Sequence, residues 1–499
     1  MSQEFELIAK TFQGLEEVLA QELTELGADN IQIGRRMVAF TGNQEMMYRA
    51  NFCLRTAVRI LKPIKHFRAK DADEVYEAVK AIDWSAYLDC QTSFVVDSVV
   101  YSNEFRHSKF VAYRVKDAIA DYFREQTGSR PNIRLTNPDL RLNIHIAEND
   151  CTLSLDSSGE SLHQRGYRAA TVDAPINEVL AAGIIKLSGW QADCDLIDPF
   201  CGSGTIAVEA ALMARNIYPG VFRKEFGFER WKDFDRDLLD RIYNDDSQER
   251  DFRHHIYAYD LNLRAVEAAE NNAKSAGVAD IITIAQRDIR DFNKPAKPAT
   301  IITNPPYGAR LQDPDLLDIY STIGEKLKFQ LTGGEAWIIS SKEELFDAIH
   351  LRPSFRIPLQ NGSLDCELRK YVTFDGKLHD FRHEGGIVKT DEERRRMGER
   401  HRFKDGRERE FSKASRREEP DMPDFGDDEE LAQRYRNLRA RHNTNERVRE
   451  AVERKNKAAS HAPADEKRKP FRGEKKYGKR DGKRPYSRDK KDFKPKRKS

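Results

Sequence analysis

The sequence predicts an α/β protein. A doubly wound, mostly parallel sheet closed by an antiparallel hairpin follows an α+β region and precedes a charged tail. Three observations predict this. Between residues 175 and 376, short apolar strands alternate with helical periodicity, the pattern of a parallel sheet. Before about residue 160, strands and helices interleave without a Gly-rich phosphate loop. After Phe374 the apolar periodicity fades and basic residues accumulate.

Each element follows from its pattern. Residues 4–10 alternate weakly and read as a strand. Leu15, Val18, Leu19, Leu23 and Leu26 share one helical face over 14–26. Short strands are expected at 31–41, a helix at 72–81 and a strand at 94–101. A basic amphipathic helix at 108–124 and strands at 140–147 and 151–156 complete this region. Strands are then expected at 194–199, 256–260, 281–287, 299–303 and 335–340. Helices should lie near 176–189, 205–214, 263–276, 314–331 and 342–350. Segments 354–360 and 366–374 flank Gln360-Asn361-Gly362-Ser363, a hairpin signal.

The net charge of +2 over 499 residues hides an asymmetry. Residues 377–499 hold 40 Lys and Arg against 26 Asp and Glu, while the remainder holds 45 against 57. A basic tail on an acidic body suggests a polyanionic partner. The six cysteines include no CxxC pair, and no metal-ligand spacing occurs, so no metal is expected. The first residues lack a basic-then-apolar leader, and no apolar run could span a bilayer. A cytoplasmic protein is expected.

Two motifs carry chemistry. Leu196-Ile197-Asp198-Pro199-Phe200-Cys201-Gly202-Ser203-Gly204-Thr205 joins the first strand of the parallel sheet to a helix. Gly202 and Gly204 allow a tight turn and close ligand approach. The spacing is neither G-x-G-x-x-G nor a P-loop. Asp198 suits a ligand with a positive centre. Asp260, ending the second strand, can accept from ribose hydroxyls. Asp288 follows the third strand and can accept from an adenine amine, with Ile289 packing on the ring. The second motif, Asn304-Pro305-Pro306-Tyr307-Gly308, ends an apolar strand. Its prolines forbid helix and sheet bonding, so it forms a ledge that presents an amide, fixed carbonyls and an aromatic ring. Such a ledge suits a planar group bearing an amine.

Together the two motifs resemble the class I S-adenosylmethionine-dependent methyltransferases that modify exocyclic amines. The resemblance implies a Rossmann-like, seven-stranded sheet. It implies that Asp198, Phe200, Gly202, Gly204, Thr205, Asp260, Asp288, Ile289 and Asn304 meet the cofactor. Asn304, Pro305, Pro306 and Tyr307 would be catalytic. Residues 60–156 resemble a THUMP RNA-binding domain, through Ile82-Asp83-Trp84, Lys116-Asp117-Ala118-Ile119 and the strands after Pro131. RNA contact by Lys109, Arg114 and Lys116 is then implied.

The junction Ser161-Leu162-His163-Gln164-Arg165-Gly166-Tyr167-Arg168, with Ala174-Pro175-Ile176-Asn177-Glu178 and Asn361-Gly362-Ser363-Leu364-Asp365-Cys366, resembles the bacterial 23S rRNA guanine-N2 methyltransferases. Arg165 and Arg168 would then touch RNA, although Gln164 stands where that family often has a basic residue. The implied units are a ferredoxin-like subdomain (1–59), a THUMP domain (60–160), a methyltransferase domain (161–376) and a largely disordered basic tail (377–499). No second cofactor turn follows, so a stand-alone enzyme is expected, acting on 23S rRNA or a ribosomal assembly intermediate. The rivals are a tRNA guanine-N2 methyltransferase, a DNA adenine-N6 methyltransferase and a non-catalytic rRNA-binding assembly factor. Phe471, Tyr477, Tyr486 and Phe493, spaced among basic residues, suggest that the tail adds nonspecific RNA affinity.

Overall fold

The computed structural model describes residues 3–395, except 106, 173–174, 293–298, 308–313, 332, 375, 377, 384 and 392. Gly308 and the tail beyond 395, with its aromatics, lie outside the described residues.

Eight strands form the first sheet: β1 (Phe5–Lys10), β2 (Asp29–Gly34), β3 (Met37–Gly42), β4 (Arg59–Arg68), β5 (Ser93–Tyr101), β6 (Asn132–Ile133), β7 (Leu140–Ala147) and β8 (Asp150–Asp156). Their order is β2-β3-β1-β4-β8-β7-β5-β6. β4 has no counterpart in the pattern-based reading, because its basic side chains obscure the alternation. It pairs antiparallel with β1 on one side and β8 on the other. A register shift between Pro63 and Lys65 accommodates the proline, which cannot donate to the ladder. The ferredoxin-like and THUMP regions therefore share one sheet. Along β7, Leu140, Leu142, Ile144 and Ile146 are buried. They join one core with Val111, Val115 and Ile119 of helix Ser108–Thr127.

The second sheet holds β9 (Asp195–Asp198), β10 (Ile256–Asp260), β11 (Ile282–Gln286), β12 (Ala299–Thr303), β13 (Glu335–Ser340), β14 (Phe355–Asn361) and β15 (Leu364–Val372). The order is β11-β10-β9-β12-β13-β15-β14. β9 to β13 are parallel, and β15 is antiparallel to both β13 and β14. The expected Rossmann-like sheet with an antiparallel terminal hairpin is therefore present. The chain runs outward from β9 through β10 to β11, then returns to place β12 beside β9. That reversal opens a crevice at the carboxyl ends of β9 and β12.

An excursion between helix Thr205–Ala214 and β10 fixes the two sheets together. Phe226, Phe228, Trp231, Leu238, Leu239 and Ile242 pack into the core of the first sheet. Phe228 stacks on Tyr48 with ring centroids 4.0 Å apart. Arg230 donates to the carbonyls of Asn137 and Pro138, and Lys232 to those of Ser85 and Leu88. Its 3-10 turns lack the period that marks longer elements, and its one α-helix, Arg236–Tyr243, is only two turns long, so the excursion is hard to see in the sequence pattern.

The described residues continue past 377, the first residue of the expected tail. Helix Leu378–His383 brings Phe381 onto Phe374, with centroids 4.7 Å apart. Glu393 meets the buried Lys370 Nζ at 2.9 Å, opposite Glu335 at 2.8 Å.

Candidate active site

The turn after β9 is built around a buried carboxylate. Asp198 is 1% exposed. Its Oδ1 accepts from Thr303 Oγ1 at 2.6 Å and from the Phe200 amide at 3.2 Å. Its Oδ2 has no partner among the described residues. Burial pushes this carboxyl up to about 7, Asp260 adds to the rise, and the two hydrogen bonds oppose it. A bare buried acceptor of this kind calls for a cationic donor.

The glycines serve different ends. Gly204 has φ +80°, and a Cβ there would lie 2.9 Å from that of Ala269, so it lets the turn lie against helix Leu263–Ser275. Gly202 also has positive φ, but a Cβ there would meet only Val172 Cγ2, at 3.9 Å. Space is open above Gly202. An open backbone ledge beside an unpaired carboxylate oxygen fits a ligand that carries an amino group on an extended body. Thr205 opens helix Thr205–Ala214, and Phe200 is half-buried against the core under β12. Cys201 is buried and burial raises its thiol pKa, so it packs rather than attacks.

The other two strand-end carboxylates already have partners. Asp260 Oδ2 accepts from the Gly202 amide at 3.0 Å and Oδ1 from the Asn262 amide at 2.8 Å. It therefore ties the second strand to the turn, and each oxygen keeps a further lone pair. Asp288 caps a short 3-10 turn through the Arg290 amide at 2.9 Å, and its other oxygen lies 3.3 Å from Arg290 Nη1. Ile289 is buried in the core with Tyr259 and Phe292. Leu261, directly after Asp260, is 63% exposed. Pattern reading passed it over because a single exposed leucine carries no period.

At the end of β12, Asn304 Oδ1 is a second buried acceptor with no partner among the described residues. β9 and β12 are paired neighbours, and Thr303 bridges them by its bond to Asp198. The two unpaired acceptors thus stand at the ends of adjacent strands. Pro305 is buried and Pro306 exposed. The Tyr307 hydroxyl accepts from Asn361 Nδ2 at 2.8 Å, which anchors the ledge to the terminal hairpin. Burial raises the phenol pKa, so it remains protonated at neutral pH.

Comparison with known proteins bears on this geometry. The RMKL-like methyltransferase domain matches residues 165–370, a THUMP domain 69–156 and an RlmL ferredoxin-like domain 6–61. A Synechocystis protein, slr0064, named as a candidate RNA methyltransferase, is 38% identical over 369 residues, covering 73% of this chain and 96% of the relative. The chain belongs to the RMKL-like methyltransferase family.

The Photobacterium profundum ribosomal RNA large subunit methyltransferase K/L is 37% identical over 379 residues, 74% of this chain. The match spans only 53% of that relative's length. Among solved structures, SMU.472, a candidate methyltransferase complexed with SAH, superposes with a TM-score of 0.68 at 31% identity, covering 76% of this chain and 100% of that one.

In this RMKL-like chain the expected RNA-contacting residues separate into two groups. Lys109 is exposed on helix Ser108–Thr127, beside Phe110 and Tyr113, which are 54% and 53% exposed. Lys116 Nζ lies 4.4 Å from the Tyr113 ring centroid. Arg114 is held over the Tyr76 ring and donates to Asp73 at 2.7 Å.

Arg165 and Arg168, where contact with RNA was expected, turn their guanidinium groups towards protein partners, and both line the surface cavity at the junction. Arg165 is 2% exposed; it lies 3.4 Å from the fully buried Glu209 and donates to the carbonyls of Leu162 and Arg55. Arg168 donates to Glu178 at 2.7 Å and to Ser203 Oγ and Thr205 Oγ1, each at 2.9 Å. Both therefore brace the junction against the turn. Asn272 completes the brace. Its Oδ1 accepts from the Ala169 and Ala170 amides, and its Nδ2 donates to the carbonyls of Ala170 and Ser203. A polar residue on the inner face of an otherwise apolar helix was the available sign of this role.

Proposed function

We propose that this protein transfers a methyl group from S-adenosylmethionine to the N2 amine of a guanine in large-subunit rRNA. The observation that carries the reading is the pair of buried acceptors without partners among the described residues, Asp198 Oδ2 and Asn304 Oδ1, at adjacent strand ends. The THUMP match and the ribosomal RNA relative support RNA as the substrate. The SAH held by a structural relative supports the cofactor.

In this reading Asp198 receives the positive amino group of the methionine part, over the open backbone at Gly202. Asp260 receives the ribose through its remaining lone pairs. Asp288, Ile289 and the exposed Leu261 receive the adenine. When bound, the cofactor supplies an electrophilic methyl group on a sulfonium.

The ledge prepares the other reactant. An amine on an aromatic ring is a weak nucleophile because its lone pair is delocalised. Asn304 Oδ1 and the Pro305 carbonyl accept its hydrogens and draw the nitrogen towards a tetrahedral form. Tyr307, held by Asn361, offers its ring for stacking, a contact worth about 1–3 kcal/mol per base. A paired guanine must leave its helix to reach this ledge. Alignment and exclusion of water then supply most of the acceleration.

Two experiments test this. Mass spectrometry of digested rRNA, tRNA and DNA from a deletion strain should find N2-methylguanosine missing from large-subunit rRNA alone; its loss from tRNA, or loss of methyladenine from DNA, would redirect the substrate. Asn304→Ala should bind S-adenosylmethionine yet fail to methylate, and wild-type turnover by this variant would reject the ledge mechanism.

A further inference from the structure

A cavity of about 630 Å³ opens where the THUMP-to-methyltransferase linker meets the excursion before β10. It lies outside the cofactor turn, and its size falls within the usual range for a small-ligand site. Its walls combine the parts that recognise a nucleotide. Phe222 supplies an aromatic ring, and Gln164 and Asn177 supply amides. The Asn177 Oδ1 caps helix Glu178–Ser188, which leaves its Nδ2 available. Arg223 and Lys224 supply cations.

The balance of charge favours an anion. Among the lining carboxylates, Glu178 is held by Arg168 and Glu225 by Arg230, leaving Glu160. Arg223 forms no ion pair among the described residues. It donates instead to the carbonyls of Ser158, Glu160, Ser161 and Gln164, and its buried Nε has no partner among the described residues. Carbonyls orient this guanidinium without neutralising it. Lys224 is exposed and makes no ion pair among the described residues. The excess is felt by His163, whose pKa is lowered first by burial and then by Arg165, Arg59, Arg168 and Arg223.

The cavity also touches the cofactor turn through one residue. Arg168 lines it and donates to Ser203 and Thr205 in the cofactor turn.

We propose that this junction cavity is a second RNA subsite, taking one unpaired nucleotide that flanks the target base. Its phosphate meets Lys224, with the carbonyl-caged Arg223 guanidinium adding positive charge from the wall, and its base meets Phe222, Gln164 and Asn177. The proposal rests on the RNA-methyltransferase reading and extends it, because a flanking nucleotide seated here would fix the strand while the target base enters the ledge. Stacking on an aromatic with polar contacts to a base edge is the usual way single-stranded RNA is read.

The test uses the full chain and a fluorescent single-stranded RNA with 4-thiouridine distributed along it. Gln164 and Lys224 are exposed, so the double variant Gln164→Ala/Lys224→Glu spares the core. It should bind this RNA roughly five- to tenfold more weakly at low salt and lower the log–log salt slope by about 1. Its affinity for S-adenosylmethionine should not change. Photocrosslinks in the wild type should map to 160–168 or 222–225. Unchanged RNA affinity in the variant, with wild-type crosslinks confined to the THUMP domain, would overturn the subsite while leaving the RNA reading intact. Absence of any RNA binding by the wild type would overturn both. Tight binding of free GMP or AMP, uncompeted by the RNA, would replace the strand with a free nucleotide and reject the proposal.

Discussion

Replacing Asp198 by asparagine should separate stability from function in a pH-dependent way. The carboxyl is 1% exposed and its pKa is raised from 3.8 to about 7. The fold without cofactor thus holds this proton more tightly than the unfolded chain does. Its contribution is greatest in acid and is lost as pH rises through 7. At about 1.36 kcal/mol per unit, the ionised carboxylate opposes folding by about 4 kcal/mol at pH 8, and by less than half that at pH 5. Asparagine keeps an oxygen for Thr303 and Phe200 but places an unpaired Nδ2 where Oδ2 was, costing about 1–3 kcal/mol. The variant should therefore be more stable than the wild type by roughly 1–3 kcal/mol at pH 8, with the advantage gone at pH 5. Thermal unfolding of cofactor-free protein at both pH values measures this, and calorimetry with S-adenosylmethionine should show at least a hundredfold loss of affinity. Unfolding curves displaced equally at both pH values would refute the buried-carboxylate argument. Wild-type cofactor affinity would refute its role at the amino group.

Other positions test the supports of the site. Gly204→Ala places a Cβ 2.9 Å from Ala269 at φ +80°, so it should weaken cofactor binding and lower the thermal midpoint, as calorimetry and unfolding would record. Asn272→Ala removes four hydrogen bonds between the linker and the turn; it should cost about 2–4 kcal/mol in denaturant unfolding and raise KM for the cofactor more than it lowers kcat. Arg165→Ala leaves Glu209 buried without its cation and should cost about 3–5 kcal/mol, a loss that a surface RNA contact would not produce. Deleting 431–499 should leave the thermal midpoint unchanged but weaken RNA binding at low salt; identical affinity across a salt titration would mark the tail as inert.

What could be read from the sequence follows the range over which each feature is encoded. The parallel strands were legible because β9, β10, β12 and β13 are compact apolar runs, each followed by a periodic helix. The placement of Asp198, Asp260 and Asn304 at the carboxyl ends of their strands was legible because each closes a short apolar run, where local sequence alone fixes the position. β4 was not, because its pairing with both β1 and β8 is a long-range fact and its composition is half basic. The excursion at 218–243 was hidden for the same reason: its aromatics acquire meaning only against Tyr48 and Phe52, far earlier in the chain.

The arginines of the junction show what burial adds to a reading of charge. Arg165 and Arg168 sit in a basic, Gly-containing linker beside an RNA-binding domain, so solvent and phosphate were the natural expectation. Their partners, Glu209 and Glu178, lie on helices whose other inward positions are apolar, and a buried glutamate there requires a cation from elsewhere. The cation comes from the linker, and in supplying it the linker becomes fixed to Ser203 and Thr205. An RNA-binding module can direct a methyl transfer only if its position relative to the methyl donor is constant. The inward arginines, together with the Phe228 stack on Tyr48, give that constancy. Through the Arg55 carbonyl, Ser203 and Thr205 they hold the N-terminal region and the turn after β9 in one frame.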